Sequence, residues 1–277
     1  GTNQNLNIAN GGSINSTGGN QPNDPAAGTI TFQGTGQTTG TNAGEPKLYD
    51  VTINGGMDFN GSSNGQSATI WNTLQLNAGS FVVDAPFYHN SSTLVYNTGG
   101  SYNRSVEWGQ ATPGAQGYPY NVLVQNSTTV NLANNSIPSA GLEMGGNLTI
   151  GTSSSGFNKV DLNSASKPLR ILGNLVIGDP ATYNNRLTLS TVAGGNLELA
   201  GNFTRYRVDN YYDNSDDDIP TPHYNGTIFI GSSTSVVDVV DNEINYRVQK
   251  FYKMTVNKTG GGDVTLLVPN LFIESEL

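Results

Sequence analysis

The sequence predicts an all-β chain wound as a parallel β-helix, on three observations. First, one phrase is written three times: Lys-Leu-Tyr-Asp-Val-Thr-Ile-Asn at 47–54, Pro-Tyr-Asn-Val-Leu-Val-Gln-Asn at 119–126 and Lys-Phe-Tyr-Lys-Met-Thr-Val-Asn at 250–257. Each copy trails a second phrase by roughly two dozen residues: Gly-Thr-Ile-Thr-Phe at 28–32, Ser-Thr-Leu-Val-Tyr at 92–96 and Gly-Thr-Ile-Phe-Ile at 226–230. Self-similarity at such a period marks a repeat architecture. Second, the middle of the chain repeats Gly-Asn-Leu-x-apolar around Asn147, Asn174 and Asn196, at steps of 27 and 22 residues. Third, Gly occupies 35 of 277 positions and Asn is about as frequent, which disfavours long helices. A β-sandwich is the alternative for so many short strands, but a sandwich has no reason to repeat its phrases.

Taken in order, residues 1–27 are Gly-, Asn- and Ser-rich and read as a first coil or cap. The phrase at 47–54 alternates with period 2, which points Tyr49, Val51 and Ile53 inward and Asp50, Thr52 and Asn54 outward. The phrase at 250–257 likewise points Tyr252, Met254 and Val256 inward. In the second copy Tyr120, Val122 and Val124 face in, while Leu123 faces out as a contact surface or a covered patch. Between Gly-Asn-Leu phrases, 168–172 and 186–189 supply further short strands. Gly and Asn accept positive φ and suit the corners, and stacked Asn amides are expected to hydrogen-bond from coil to coil. The whole of 1–277 reads as one continuous domain, with an acidic loop insertion at 208–225. The lack of a recognisable start, and an apolar run at 271–273 near the last residue, suggest a piece of a longer protein.

The charged fraction is only 12%, about half the usual share, so Asn, Thr, Ser and Gln must make the surface. A net charge of −9 excludes nucleic acid, whose phosphates demand clustered Lys and Arg, and argues equally against anionic lipid. No run of 18 or more apolar residues occurs, so no membrane insertion is expected. With no cysteine there is neither a disulfide framework nor a thiol nucleophile.

Together, Gly-Thr-Ile-x-Phe, Phe/Leu-Tyr-x-apolar-Thr-apolar-Asn and Gly-Asn-Leu-x-apolar resemble repeats of very large secreted and cell-surface proteins of Bacteroidota, many exported by the type IX route. The resemblance covers most of 28–273 and lacks that family's C-terminal sorting domain. It implies a right-handed parallel β-helix, an extracellular or cell-surface location, and a role in adhesion, gliding-associated surface structure or as a stalk.

Catalytic motifs are absent. His89 and His223 have no metal-ligand spacing, and neither a nucleophile elbow nor a phosphate loop occurs. No enzyme activity is expected, and no cofactor other than calcium is considered. Asp213, Asp216 and Asp218 could give one calcium ion several oxygen ligands from a single loop, although the EF-hand spacing is missing. A polysaccharide lyase or glycosidase built on Arg205, Arg207 and that Asp cluster is the alternative from another class; it rests on fold analogy alone. For sugar binding, Trp108, Tyr118, Tyr211 and Tyr212 are the candidate exposed aromatics in loops, with Tyr102 beside them. Expected partners are extracellular glycans or flanking domains of the same protein. Bare solenoid ends are sheet edges, so end-to-end self-association into filaments is the third alternative.

Overall fold

The computed structural model describes residues 5–9, 13–17, 28–43, 47–59, 67–152, 156–181, 184–207, 211–213, 225–240 and 248–276. Every strand pairing in it is parallel, and strands are arranged in a fourteen-stranded, a six-stranded and a five-stranded sheet. The described helical structure is two 3-10 turns, Val106–Trp108 and Leu132–Asn134. This is the β-helix that the repeats predict.

The long sheet carries the inner column that defines the solenoid. Ile30, Val51, Leu74, Leu94, Val122, Leu148, Leu175, Phe203 and Val237 lie in register, one per coil. From Val51 onward all of them are buried. Alternation puts one face of every strand inside, so stacking like on like removes a continuous apolar stripe from water. The six-stranded sheet adds Leu142, Leu169 and Leu197, with Met144, Ile171, Leu199 and Phe229 two residues further along. The five-stranded sheet adds Tyr102, Val130, Val160 and Leu187.

The repeated phrases now have a physical meaning, because each phrase and its partner are strands stacked directly on one another. Thr29–Ala43 pairs with Lys47–Asp58, Thr93–Tyr96 with Asn121–Val124, and Thr227–Phe229 with Val248–Val256. The first two pairs lie in the long sheet and the third in the six-stranded sheet. One inward assignment is corrected in all three copies. Tyr49, Tyr120 and Tyr252 are half-buried, and the residue before each, Leu48, Pro119 or Phe251, is buried instead. In the first and third copies a register shift falls at the tyrosine, between Leu48 and Asp50 and between Phe251 and Lys253. Such a bulge moves the preceding side chain to the core face.

The Gly-Asn-Leu rhythm is also corrected. Asn147 and Asn174 stand at the same corner, but the next member is Asn202, which leads into the long sheet, whereas Asn196 leads into the six-stranded sheet. The 22-residue step therefore mixes two corners. Nor do the glycines before these asparagines have positive φ. Gly146, Gly173 and Gly201 stack backbone on backbone, with N–H to carbonyl distances of 2.9 and 3.0 Å, and a Cβ on Gly173 would stand 2.5 Å from the Gly146 carbonyl carbon. Glycine is needed here for close approach. Positive φ appears at the far end of the strand, at Gly151 (81°) and Gly178 (77°).

At the last described coil, Val256 and Leu266 hold inward register positions beneath Phe229 and Val237 yet are 51% and 41% exposed. Leu123, expected to face out, is half-buried. Within the N-terminal stretch, Asn5–Ile8 and Ser13–Thr17 both pair with Thr29–Ala43.

Candidate functional site

The segment 104–120 replaces a regular strand on one coil. Its backbone bonds to the chain above through Gly117 N–H to the Pro86 carbonyl (2.9 Å) and to the coil below through Gly145 N–H to Pro119 (3.1 Å) and Gly146 N–H to Tyr120 (2.7 Å). Trp108, expected as an exposed sugar platform, is fully buried, and its indole N–H donates to the Glu143 carbonyl at 3.1 Å. The 3-10 turn swings the ring inward to fill the core just above the first strand of the six-stranded sheet, so it offers no face to a ligand.

Beside it lies a buried polar knot. Arg104 is 1% exposed, and its guanidinium donates to five carbonyls: Leu132 (2.8 Å), Ser105 (3.0 Å), Trp108 (2.7 Å), Asn135 (2.8 Å) and Ser136 (3.2 Å). The planar five-donor fork is consumed by backbone and ties this segment to the next coil's turn. Burial lowers its pKa. The Glu107 carboxylate accepts from the Tyr96 hydroxyl at 3.0 Å and from the Ser105 N–H at 3.1 Å, and the Tyr88 hydroxyl donates to the Glu107 carbonyl at 3.0 Å. Burial pushes the Glu107 carboxyl up and, with Glu107 adjacent, pushes the phenols of Tyr88, Tyr96 and Tyr102 up too. A cavity of about 300 Å³ opens beside Arg104, rimmed by Asp84, Gln110, Gln116 and Asn135. With its donors engaged, the knot is a clamp between coils.

The outer face of the six-stranded sheet carries an ionic row. Glu143, Arg170 and Glu198 stand in register on successive coils, and Arg170 reaches Glu143 at 3.0 Å and Glu198 at 2.6 Å. Burial would lower the Arg170 pKa, but the two carboxylates outweigh it and hold the pKa above its ordinary value. Tyr118, also expected to be exposed, is 6% exposed and donates its hydroxyl to Glu143 at 2.9 Å. Burial and that bond raise its pKa.

Next to this row lies a groove of about 310 Å³, lined by Tyr88, Asn90, Pro113, Tyr118, Tyr120 and Leu172. Leu172 is 39% exposed. The Tyr120 ring rests on the Gly145-Gly146 backbone, where a Cβ would come within 2.8 and 3.0 Å of ring carbons. Of these residues the sequence points only to Tyr118 as a ligand contact; its alternation places Tyr120 in the core and Leu172 at a strand end. No sequence signal marks a second aromatic surface group: Trp71 stacks on His89 with ring centroids 4.2 Å apart, and the Lys47 ammonium lies 4.8 Å from the Trp71 ring.

The acidic segment is not wholly a loop. Tyr211–Asp213 forms a strand of the five-stranded sheet, with Tyr212 in register with Leu187 and Asp213 with Thr188. Asp216, Asp218 and His223 lie outside the described residues. Arg205 belongs to the long sheet, in register with Ile177 and Val239, so it and Asp213 are on different sheets. Among the described residues no group of three or more His, Cys, Asp or Glu side chains converges on a cation position. The chain matches no protein-family model, no curated protein and no solved structure.

Proposed function

We propose that this chain is a non-catalytic structural and adhesive segment of a large extracellular bacterial surface protein. Its parent would be a cell-surface protein like those Bacteroidota proteins whose repeats it resembles, exported by the type IX route. The carrying observation is where the polar groups go. Arg104, which lines one cavity, and Glu107, Glu143 and Arg170, which bond to residues lining the cavities or to each other, are tied to backbone or across coils; of the charged residues on the rim only Asp84 is exposed. Groups committed in this way brace a rod, whereas a general acid or base must be free to exchange its proton with a substrate. A sparsely charged, acidic surface suits an extended scaffold that stays soluble while presenting neutral polar groups.

The test is a screen of the purified chain against a glycan array and whole bacterial and host cells, with and without calcium, while reducing-end and unsaturated sugar products are assayed. Binding without product supports the adhesive reading. Product release from any polysaccharide would replace it with the lyase or glycosidase reading.

Exposed Val256 and Leu266 at the last described coil favour one second reading, self-association of copies end to end. Light scattering that found only monomers at millimolar concentration would remove it.

A further inference from the structure

We infer that the groove of Tyr88, Tyr118, Tyr120 and Leu172 is a binding site for a neutral pyranose chain, which rests on the adhesive reading above. Three features of the groove converge on that chemistry.

The groove wall is aromatic and rigid. The hydroxyls of Tyr88 and Tyr118 are tied to the Glu107 carbonyl and to the Glu143 carboxylate, and Tyr120 lies on a glycine pair with no room for a Cβ. A pyranose presents an apolar face of axial C–H bonds, and fixed rings meet that face without losing rotamer freedom on binding. The rim is polar but not ionic in its demand. Exposed Asn90 offers both a carbonyl and an amide, which suits hydroxyl groups that donate and accept. Finally, among the described residues no cation lines the groove, and the adjacent Arg170, two residues from Leu172, is bridged by Glu143 and Glu198, so a uronate or sulfate would face two carboxylates already paired with that cation. An acidic chain of net charge −9 repels such polyanions further.

The experiment is surface binding of the whole chain to immobilised gluco-, manno-, galacto- and xylo-oligosaccharides, with oligogalacturonate and heparin as the anionic arm. Tyr120→Ala and Leu172→Asn should each weaken binding to a neutral chain by about tenfold, the scale of one lost ring or apolar contact. Tyr120→Phe keeps the ring and should bind like the wild type, with thermal melting used to show that all three variants fold. The site is refuted if neutral chains bind equally well to wild type and Tyr120→Ala, or if only the anionic chains are captured. If no oligosaccharide binds but whole cells do, the groove assignment fails while the adhesive reading stands; if neither binds, both fail.

Discussion

The coils before and after segment 104–120 solve the same stacking problem with different cross-sections. In the first region two adjacent strands of the long sheet are long, with 12 residues in Lys47–Asp58 and 8 in Thr69–Leu76. Side-chain bonds there link residues 20 to 23 apart: Asn77 to Asn54 and Asn97 to Asn77. In the second region, from Asn121 to Tyr206, strands shrink to 3 or 4 residues, and the links span 26 to 28, from Asn121 to Asn147, Asn174 and Asn202. The longer coil adds corners: the five-stranded sheet starts at Ser101–Asn103, just before the segment, and the six-stranded sheet at Leu142–Met144 after it. The corner chemistry changes as well. Before the segment, Asn54, Asn77 and Asn97 bond to each other through their side chains; after it, the side-chain carbonyls of Asn121, Asn147 and Asn174 accept the backbone N–H of the Asn on the next coil, satisfying a donor that the turn would otherwise orphan. Segment 104–120 is the adaptor between the two shapes, and Trp108 fills the space where they meet.

The largest expected effect is therefore at the adaptor. Trp108→Ala should cost about 3–5 kcal/mol by urea denaturation. Trp71→Ala, on the half-exposed stack in the first region, should stay within about 1 kcal/mol. Comparable losses at the two positions would mean that Trp108 is no keystone. Next is the glycine column of the second region. Gly173→Ala forces a methyl against the neighbouring backbone and should cost about 1–3 kcal/mol; an unchanged denaturation midpoint would show that the coils can separate there without loss. The ladders come third. Asn174→Ala leaves the Asn202 N–H without its acceptor, at about 1–2 kcal/mol. Asn77→Ala, on a surface ladder, should cost about 0.5 kcal/mol or less, and the reverse order in thermal melts would contradict the assigned roles.

The smallest effect is a pH slope. Because burial raises the Glu107 pKa in the folded chain, its contribution to stability is complete below the ordinary carboxylate pKa and lost as pH rises through the raised folded value. Glu107→Gln removes that titration. The wild-type melting temperature should fall relative to the variant as pH increases across this window, whereas a constant gap would exclude Glu107 as its source.

What was legible in the sequence was periodicity. Alternation found Val51, Ile53, Val122 and Val124 on the inner face, and repetition found the strands that stack. What was not legible was anything decided by a neighbouring coil. The bulge that moves Tyr49 aside depends on pairing with Thr69–Leu76. Asn174 and Asn196 carry the same local phrase and differ only in which sheet receives them. Trp108 looks like a surface aromatic because its neighbours Glu107 and Arg104 are charged; only the closed knot of carbonyls and tyrosines lets all three go inside. For the same reason the groove has no local sequence signature, since Tyr88, Tyr120 and Leu172 come from three different coils.

The most direct test of the two-region account is hydrogen exchange read by mass spectrometry on wild type and Trp108→Ala. The account predicts slow exchange in the strands on both sides, Thr93–Tyr96 and Leu148–Ile150, with the variant accelerating these adaptor-flanking strands most and Leu175–Ile177 least. Equal acceleration along the whole solenoid, or none beside the adaptor, would contradict it.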